Sequence, residues 1–179
     1  MTPPVLETER LILRRPEAKD FERWASFHCD AQSMRYLGGA MTRGDAWRAL
    51  AQVVGMWPLR GFGQFSIIEK ATGEWIGRVG PWFPEGWPGL EVGWMLLHEA
   101  RGKGYAQEAA TATLDFAFEV LGWDDVIHVI HPDNLASQKL AQRMGSARLG
   151  PVRMPPPMDQ RPAESWGQTR EAWRSRVRR

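Results

Sequence analysis

The sequence predicts an α+β domain, a mostly antiparallel sheet with helices packed on its faces, and three observations carry that expectation. Short strand-forming runs alternate with amphipathic helical stretches along all 179 residues. Two of those runs, 62–69 and 75–83, flank Ala71-Thr72-Gly73, which signals a hairpin. No internal repeat, low-complexity block or domain boundary interrupts the order.

Leu11-Ile12-Leu13, set among charged residues and stopped by Pro16, reads as the first strand. Asp20 precedes Phe21, Trp24, Ala25 and His28, whose spacing draws one helix face. Residues 34–41, with Gly38-Gly39, read as a loop. Thr42 with Asp45 three residues later opens a second helix, its apolar stripe read through Ala46, Leu50, Ala51 and Val54. After the hairpin, a turn-rich stretch over 84–89 leads into a strand at 90–97. A long helix follows from about Tyr105 to Leu121, with Ala106, Ala110, Leu114, Ala117 and Leu121 on one face and Gly122 closing it. Residues 126–130 form a short apolar strand, and Asn134 begins a helix that ends at Gly145. Arg148–Val152 and Trp166–Thr169 are the last strand candidates, separated by a loop holding Pro155, Pro156 and Pro157.

A domain of this length buries roughly two thirds of its unfolded surface and needs no disulfide or metal to hold it. Cys29 is the only cysteine, which excludes an internal disulfide and any multi-cysteine metal site; no metal is expected. No apolar run reaches about 18 residues, and MTPPVLETER lacks a basic-then-apolar export signal. The expectation is a cytoplasmic protein with no membrane partner. Residues 170–179 carry five arginines and one acid, Glu171, a net of +4; with the whole chain at +2, residues 1–169 carry −2. The body is slightly acidic and lacks a basic stripe, so no nucleic-acid partner is expected. The basic residues read as a solvated end: one domain over 1–173 and a tail over 174–179 whose deletion leaves the fold intact. Ten tryptophans serve either to fill a core or to line an aromatic acceptor pocket, and the count does not separate the two.

The chemistry concentrates between Glu91 and Ala106, where a strand enters a turn with two glycines and a helix follows at once. Glycines let a backbone approach a ligand closely, and a helix N-terminus offers unpaired N–H groups with partial positive charge. Together they form a pyrophosphate cradle, aided by Arg101 and Lys103. A Walker A loop would need Ser or Thr after Gly102-Lys103, where Gly104 stands. A dinucleotide fingerprint would need glycine at Gln107.

Arg101-Gly-Lys-Gly104-Tyr-Ala106 instead matches the Arg/Gln-x-x-Gly-x-Gly/Ala signature of the GNAT (N-acetyltransferase) superfamily. Further matching stretches are Glu9-Arg10-Leu11-Ile12-Leu13-Arg14, Gly77-Arg78-Val79-Gly80, Glu91-Val-Gly-Trp94, Glu108-Ala109 and Asn134-x-x-Ser137. Through them nearly the whole chain resembles the RimJ/RimL-like branch, which includes ribosomal-protein N-terminal alanine acetyltransferases. The resemblance implies the GNAT fold, a mixed, mostly antiparallel six- to seven-stranded sheet with about four helices. It implies transfer of an acetyl group from acetyl-CoA to a primary amine, on a peptide N-terminus or a small molecule, by a monomer or homodimer. A catalytically silent acyl-CoA-binding or scaffold protein is the rival.

By the same resemblance, pantetheine would hydrogen-bond backbone exposed at Met95, Leu96 and Leu97, where the strand splays from its neighbour. Pyrophosphate would sit on the amides of Gly102, Lys103, Gly104, Tyr105 and Ala106 beside Arg101. Asn134 would touch the pantetheine arm, though its position is equally that of a helix N-cap. Many relatives carry a tyrosine general acid further along this helix; Leu140 to Met144 offers none, which leaves Ser137 as proton donor to the thiolate. Ser137 shares a face with Leu140, Ala141 and Met144, so it reads also as a buried hydroxyl bonded one turn back. Deprotonating a peptide α-amine near pKa 8 costs about 1.4 kcal/mol at pH 7, and a lysine-like amine near 10.4 costs about 4.6. Glu91 is the candidate base, directly or through a water, or else an outward-facing strand carboxylate. Glu108 reads as a helix-start charge, and His128 and His131 as structural. The acceptor would approach past the 34–39 and 153–163 loops, which carry Arg35, Arg153 and Arg161.

Overall fold

The computed structural model describes residues 4–177. Among these residues eight strands form one sheet in the order β1-β2-β3-β4-β5-β6-β8-β7. They are β1 (Leu6–Glu7), β2 (Leu11–Arg14), β3 (Phe65–Glu69), β4 (Trp75–Trp82), β5 (Glu91–Leu96), β6 (Asp125–Ile130), β7 (Ala147–Pro151) and β8 (Glu164–Thr169). All neighbours pair antiparallel except β5 and β6, which are parallel. The sheet therefore exceeds the expected six or seven strands by β1, two residues that fold back on Leu13 and Ile12. A tight turn in which the Thr8 amide donates to the Leu11 carbonyl (3.0 Å) makes that reversal.

Among the described residues six α-helices accompany the sheet rather than about four: α1 (Phe21–His28), α2 (Ala31–Met34), α3 (Arg43–Arg60), α4 (Tyr105–Asp115), α5 (Leu135–Arg143) and α6 (Arg170–Val177). The short α2 exists because the Asp30 side chain accepts the Ser33 amide and closes one turn. In α3 the buried stripe runs through Ala46, Leu50, Val53, Met56 and Trp57, while Ala51 is exposed and Val54 half-buried. Pro58 lies inside this helix and has no N–H for the Val54 carbonyl, which accepts Arg15 Nη2 instead (3.3 Å). Beyond Asp115 the α4 axis continues as a π-helical turn over Phe116–Val120, and Phe116, Ala117 and Phe118 are all buried in sequence.

Both sheet faces are covered, which is why β3 and β4 read as nearly continuous apolar runs rather than alternating ones. On one face α4 packs over Leu11, Leu13, Phe65, Ile67, Val79 and Val92. On the other, α1 and α3 pack Trp24, Phe27, Leu50 and Val53 against Ile68, Trp75 and Trp82. No helix among the described residues is long and apolar enough to cross a membrane.

The C-terminal arginines are tied to the fold more closely than a solvated end would be. Arg170 donates to the Trp123 carbonyl (2.9 Å), and Arg174 forms a two-point pair with Glu119 (2.8 and 2.7 Å). Arg178 and Arg179 lie outside the described residues. Exposed pairs of this kind contribute little, roughly 0–1 kcal/mol each. The anchor is Trp173, 4% exposed, whose Nε1 donates to Asp115 Oδ1 (2.7 Å). Trp173→Ala is expected to destabilise the protein by about 3–5 kcal/mol and lower Tm by roughly 10 °C. A thermal melt unchanged within about 2 °C would show that α6 is not part of the core.

Candidate active site

The site begins where β5 leaves β6. The two strands pair at one register position, Glu91 opposite Ile127, with the Ile127 amide donating to the Leu90 carbonyl (2.9 Å). Just beyond, the buried ring of His128 stands between them, Nδ1 at 2.6 Å from the Val92 carbonyl and Nε2 at 2.9 Å from Ser146 Oγ. A carbonyl only accepts, so Nδ1 carries the proton and Nε2 accepts from the serine. Burial pushes this histidine down to about 4 and keeps it neutral. His128 is thus a wedge that holds the strands apart, and Trp94 lies against it with ring centres 4.7 Å apart.

At the far end of β5, Leu96 is buried toward α4 and Leu97 toward α1 and α3. The chain then turns through Gly102 (φ 77°) and Gly104 (φ 84°), left-handed conformations that favour glycine, and Gly104 caps α4. The first amide of this helix to bond within the chain is that of Glu108, to the Gly104 carbonyl (3.1 Å). The amides at 102–106 precede it as uncapped donors. Arg101 folds back, its Nε donating to the Leu96 carbonyl (3.1 Å). Arg10 braces the turn from outside by donating to the Lys103 carbonyl (2.9 Å) and to Glu108 (2.7 Å) while its guanidinium lies 4.5 Å above the Tyr105 ring. Glu108 also accepts Thr8 Oγ1 (2.6 Å), so this carboxylate fastens the N-terminal strands to α4 in addition to sitting at a helix start.

Between the sheet, α1, α3 and the loops at 34–41 and 153–163 lies a cavity of about 530 Å³. Arg161 joins the two loops by donating to the Leu37 carbonyl (2.8 Å). Glu91, Met95, Asn134 and Ser137 all line this cavity, with Trp24, Trp82 and Trp87 among its walls. Most of the tryptophans fill the core, Trp24 and Trp82 serve both core and cavity wall, Trp87 and Trp94 line the cavity, and Trp47 is half exposed.

Glu91 is 7% exposed and faces the cavity rather than bulk solvent, with Trp87 over it. Its Oε2 accepts Trp87 Nε1 (2.6 Å) and its Oε1 accepts the Val129 amide (3.3 Å). Burial raises its pKa from 4.5 to about 7, against the opposing pull of those two donors and of Arg78. Gly93 makes room for this carboxylate: a Cβ there would come within 3.1 Å of Glu91 Oε1 and 3.3 Å of Gln64 Nε2.

Asn134 caps α5, its Oδ1 accepting the Ser137 amide (3.3 Å). Ser137 is half-buried rather than packed inward, and its Oγ accepts Trp94 Nε1 (3.3 Å) instead of bonding one turn back. The sequence reading left Arg78, Gln64, Trp87 and Trp94 without a role here. Arg78 stood out as one charge inside the apolar run of β4, which was the available signal.

The sequence model described as "Acetyltransferase (GNAT) domain" matches residues 10–147. An uncharacterised N-acetyltransferase p20 of Bacillus licheniformis is 30% identical over 151 residues, covering 83% of this chain and 85% of that protein. The solved structure of an acetyltransferase from Agrobacterium tumefaciens superposes with a TM-score of 0.83 at 29% identity, covering 94% of this chain and 95% of that one. The ribosomal-protein-S5-alanine acetyltransferase of Vibrio fischeri shares the fold at a TM-score of 0.71 and 19% identity, covering 95% and 98%. With a family match spanning most of its length on a fold shared with solved acetyltransferases, this chain belongs to the GNAT acetyltransferase family.

Proposed function

We propose that this protein transfers an acetyl group from acetyl-CoA to a primary amine by direct attack in a ternary complex. The observation that carries the reading is the placement of a buried carboxylate, Glu91, and a hydroxyl, Ser137, in one cavity opening at the β5–β6 splay. The pyrophosphate binds the uncapped amides of 102–106 with Arg101 and Lys103, and the pantetheine arm follows Met95–Leu97 to Asn134. The amine nitrogen attacks the thioester carbonyl carbon and loses a proton to Glu91, the C–S bond breaks, and Ser137 stabilises the departing thiolate by donating a hydrogen bond while keeping its proton. A carboxylate near pKa 7 suits this work, ionised enough to accept a proton and basic enough to hold it. Trp94 occupies an acceptor site of the Ser137 oxygen, which leaves the serine hydrogen for the sulfur.

Acetyl-CoA is expected to raise the melting temperature, adding about 2.7 kcal/mol of stability at a hundredfold excess over Kd. Gly104→Val removes that ligand-dependent shift, because φ 84° strains a β-branched residue and its Cβ would press on Arg10 Nη2 at 3.3 Å, distorting the turn that presents the amides. A shift with ATP or NAD but with no acyl-CoA would overturn the reading.

A further inference from the structure

Arg78 is a buried cation in the cavity whose chemistry the transfer reaction leaves unused. It rises from the middle of β4 opposite Met95, on the side of the sheet that α1 covers. Its Nε is buried with no hydrogen-bond partner, and no carboxylate lies within ion-pair distance of it among the described residues. Its ring neighbour is Trp24, 5.3 Å from the guanidinium to the ring centre. His28 beside it is neutral, held down to about 4 by burial and by Arg78 itself. Glu91 is the anion that acts on Arg78, and it does so across the cavity rather than in contact. Gln64 Oε1, also in the cavity wall, is likewise buried without a donor.

A guanidinium offers five N–H donors in a planar fork that fits a carboxylate, and leaving such donors unpaired away from water is costly. Arg78 and Glu91 stand on the β4–β5 ladder at positions four residues apart, Arg78 opposite Met95 and Trp82 opposite Glu91, and both line the same cavity. That stagger is about 13 Å of strand rise, a span in which a small molecule fits between a guanidinium and a carboxylate reaching into one cavity. We propose that the acceptor is a free amino acid with an apolar or aromatic side chain, its carboxylate clamped by Arg78, its amine facing Glu91 and its side chain against the tryptophan walls. The inference rests on the acyl-transfer reading and narrows its acceptor. It sets aside a peptide N-terminus, which would bring a neutral amide to Arg78 in place of a carboxylate.

The test is steady-state transfer from acetyl-CoA, read by thiol release, to matched acceptors: L-phenylalanine and L-tryptophan, their primary amides, and the amines lacking the carboxyl group. The amide's amine is the more readily deprotonated, so a preference for the acid runs against intrinsic reactivity. The acids should be used about 100-fold better in kcat/KM than the amides, the scale of a hydrogen bond to a charged group. Arg78→Met should bring that ratio near one while the acetyl-CoA melting shift persists, and Arg78→Lys should restore part of it. A wild-type ratio near one, or a ratio unchanged in Arg78→Met, overturns the inference. So does failure to use the acids at all, and reaction of the amides or simple amines then shows whether acyl transfer itself stands.

Discussion

Glu91→Gln should keep acetyl-CoA binding and lose turnover by about 10²- to 10⁴-fold, the usual worth of a positioned general base. The wild-type rate should rise with pH through about 7 and then level, tracking ionisation of this carboxyl. The variant should lack that rise. Stability should move the opposite way. The folded pKa of Glu91 lies above its unfolded value of 4.5, at about 7, so between those values the folded state holds a proton that the unfolded state has released. The stabilisation is therefore complete below about pH 4.5 and lost as pH rises through 7. At pH 8 the variant should be more stable than wild type by about 1–3 kcal/mol, and at pH 4.5 the difference should vanish. Paired melts at the two pH values check this. A variant with full activity, or one equally destabilised at both, would assign Glu91 to structure alone.

Ser137→Ala should lower kcat by about 10- to 1000-fold with little change in CoA affinity. Charge builds on sulfur late in the reaction, so a donor to it matters in the transition state and hardly at all in the ground state. The geometry gives this substitution a simple background: Ser137 is half-buried, and among the described residues Trp94 Nε1 is the one side-chain group bonded to its oxygen. Asn134→Ala should differ by weakening cofactor binding as well, since it both caps α5 and touches the pantetheine arm in this account. Kinetics and CoA calorimetry on the two variants separate them. Full activity in Ser137→Ala would leave the thiolate to be protonated by water or by the acceptor.

The elements with strong periodicity were legible in the sequence, and weak signals account for the rest. The β3–β4 hairpin, the glycine turn before α4 and the Asn134 cap follow from local chemistry that acts within a few residues. β1 escaped because two residues carry no period, and α2 because a single Asp30-capped turn has no apolar face to read. α6 escaped because its arginines and serine present polar chemistry on nearly every side, and only the tertiary burial of Trp173 explains why it is there. The stripe drawn for α3 drifted onto Ala51 and Val54, where the helix in fact packs Val53 and Met56. Ser137 shared a face with Leu140 and Ala141 by arithmetic, yet the first turn of α5 stands beside the splayed strands and opens to the cavity. Arg78 stands out as one charge inside an apolar strand, but its role depends on the cavity before it, which no local pattern in the sequence shows.

The most direct test of the account measures both products of one reaction. Purified protein is incubated with acetyl-CoA and the amine panel, and free thiol and acetylated amine are quantified together, the latter by mass spectrometry. The account predicts the two in equal amounts, dependent on the protein and lost with Glu91→Gln. Thiol release without acetylated amine, or acetyl-CoA binding with neither product across the whole panel, would contradict it and leave a GNAT fold that binds without transferring.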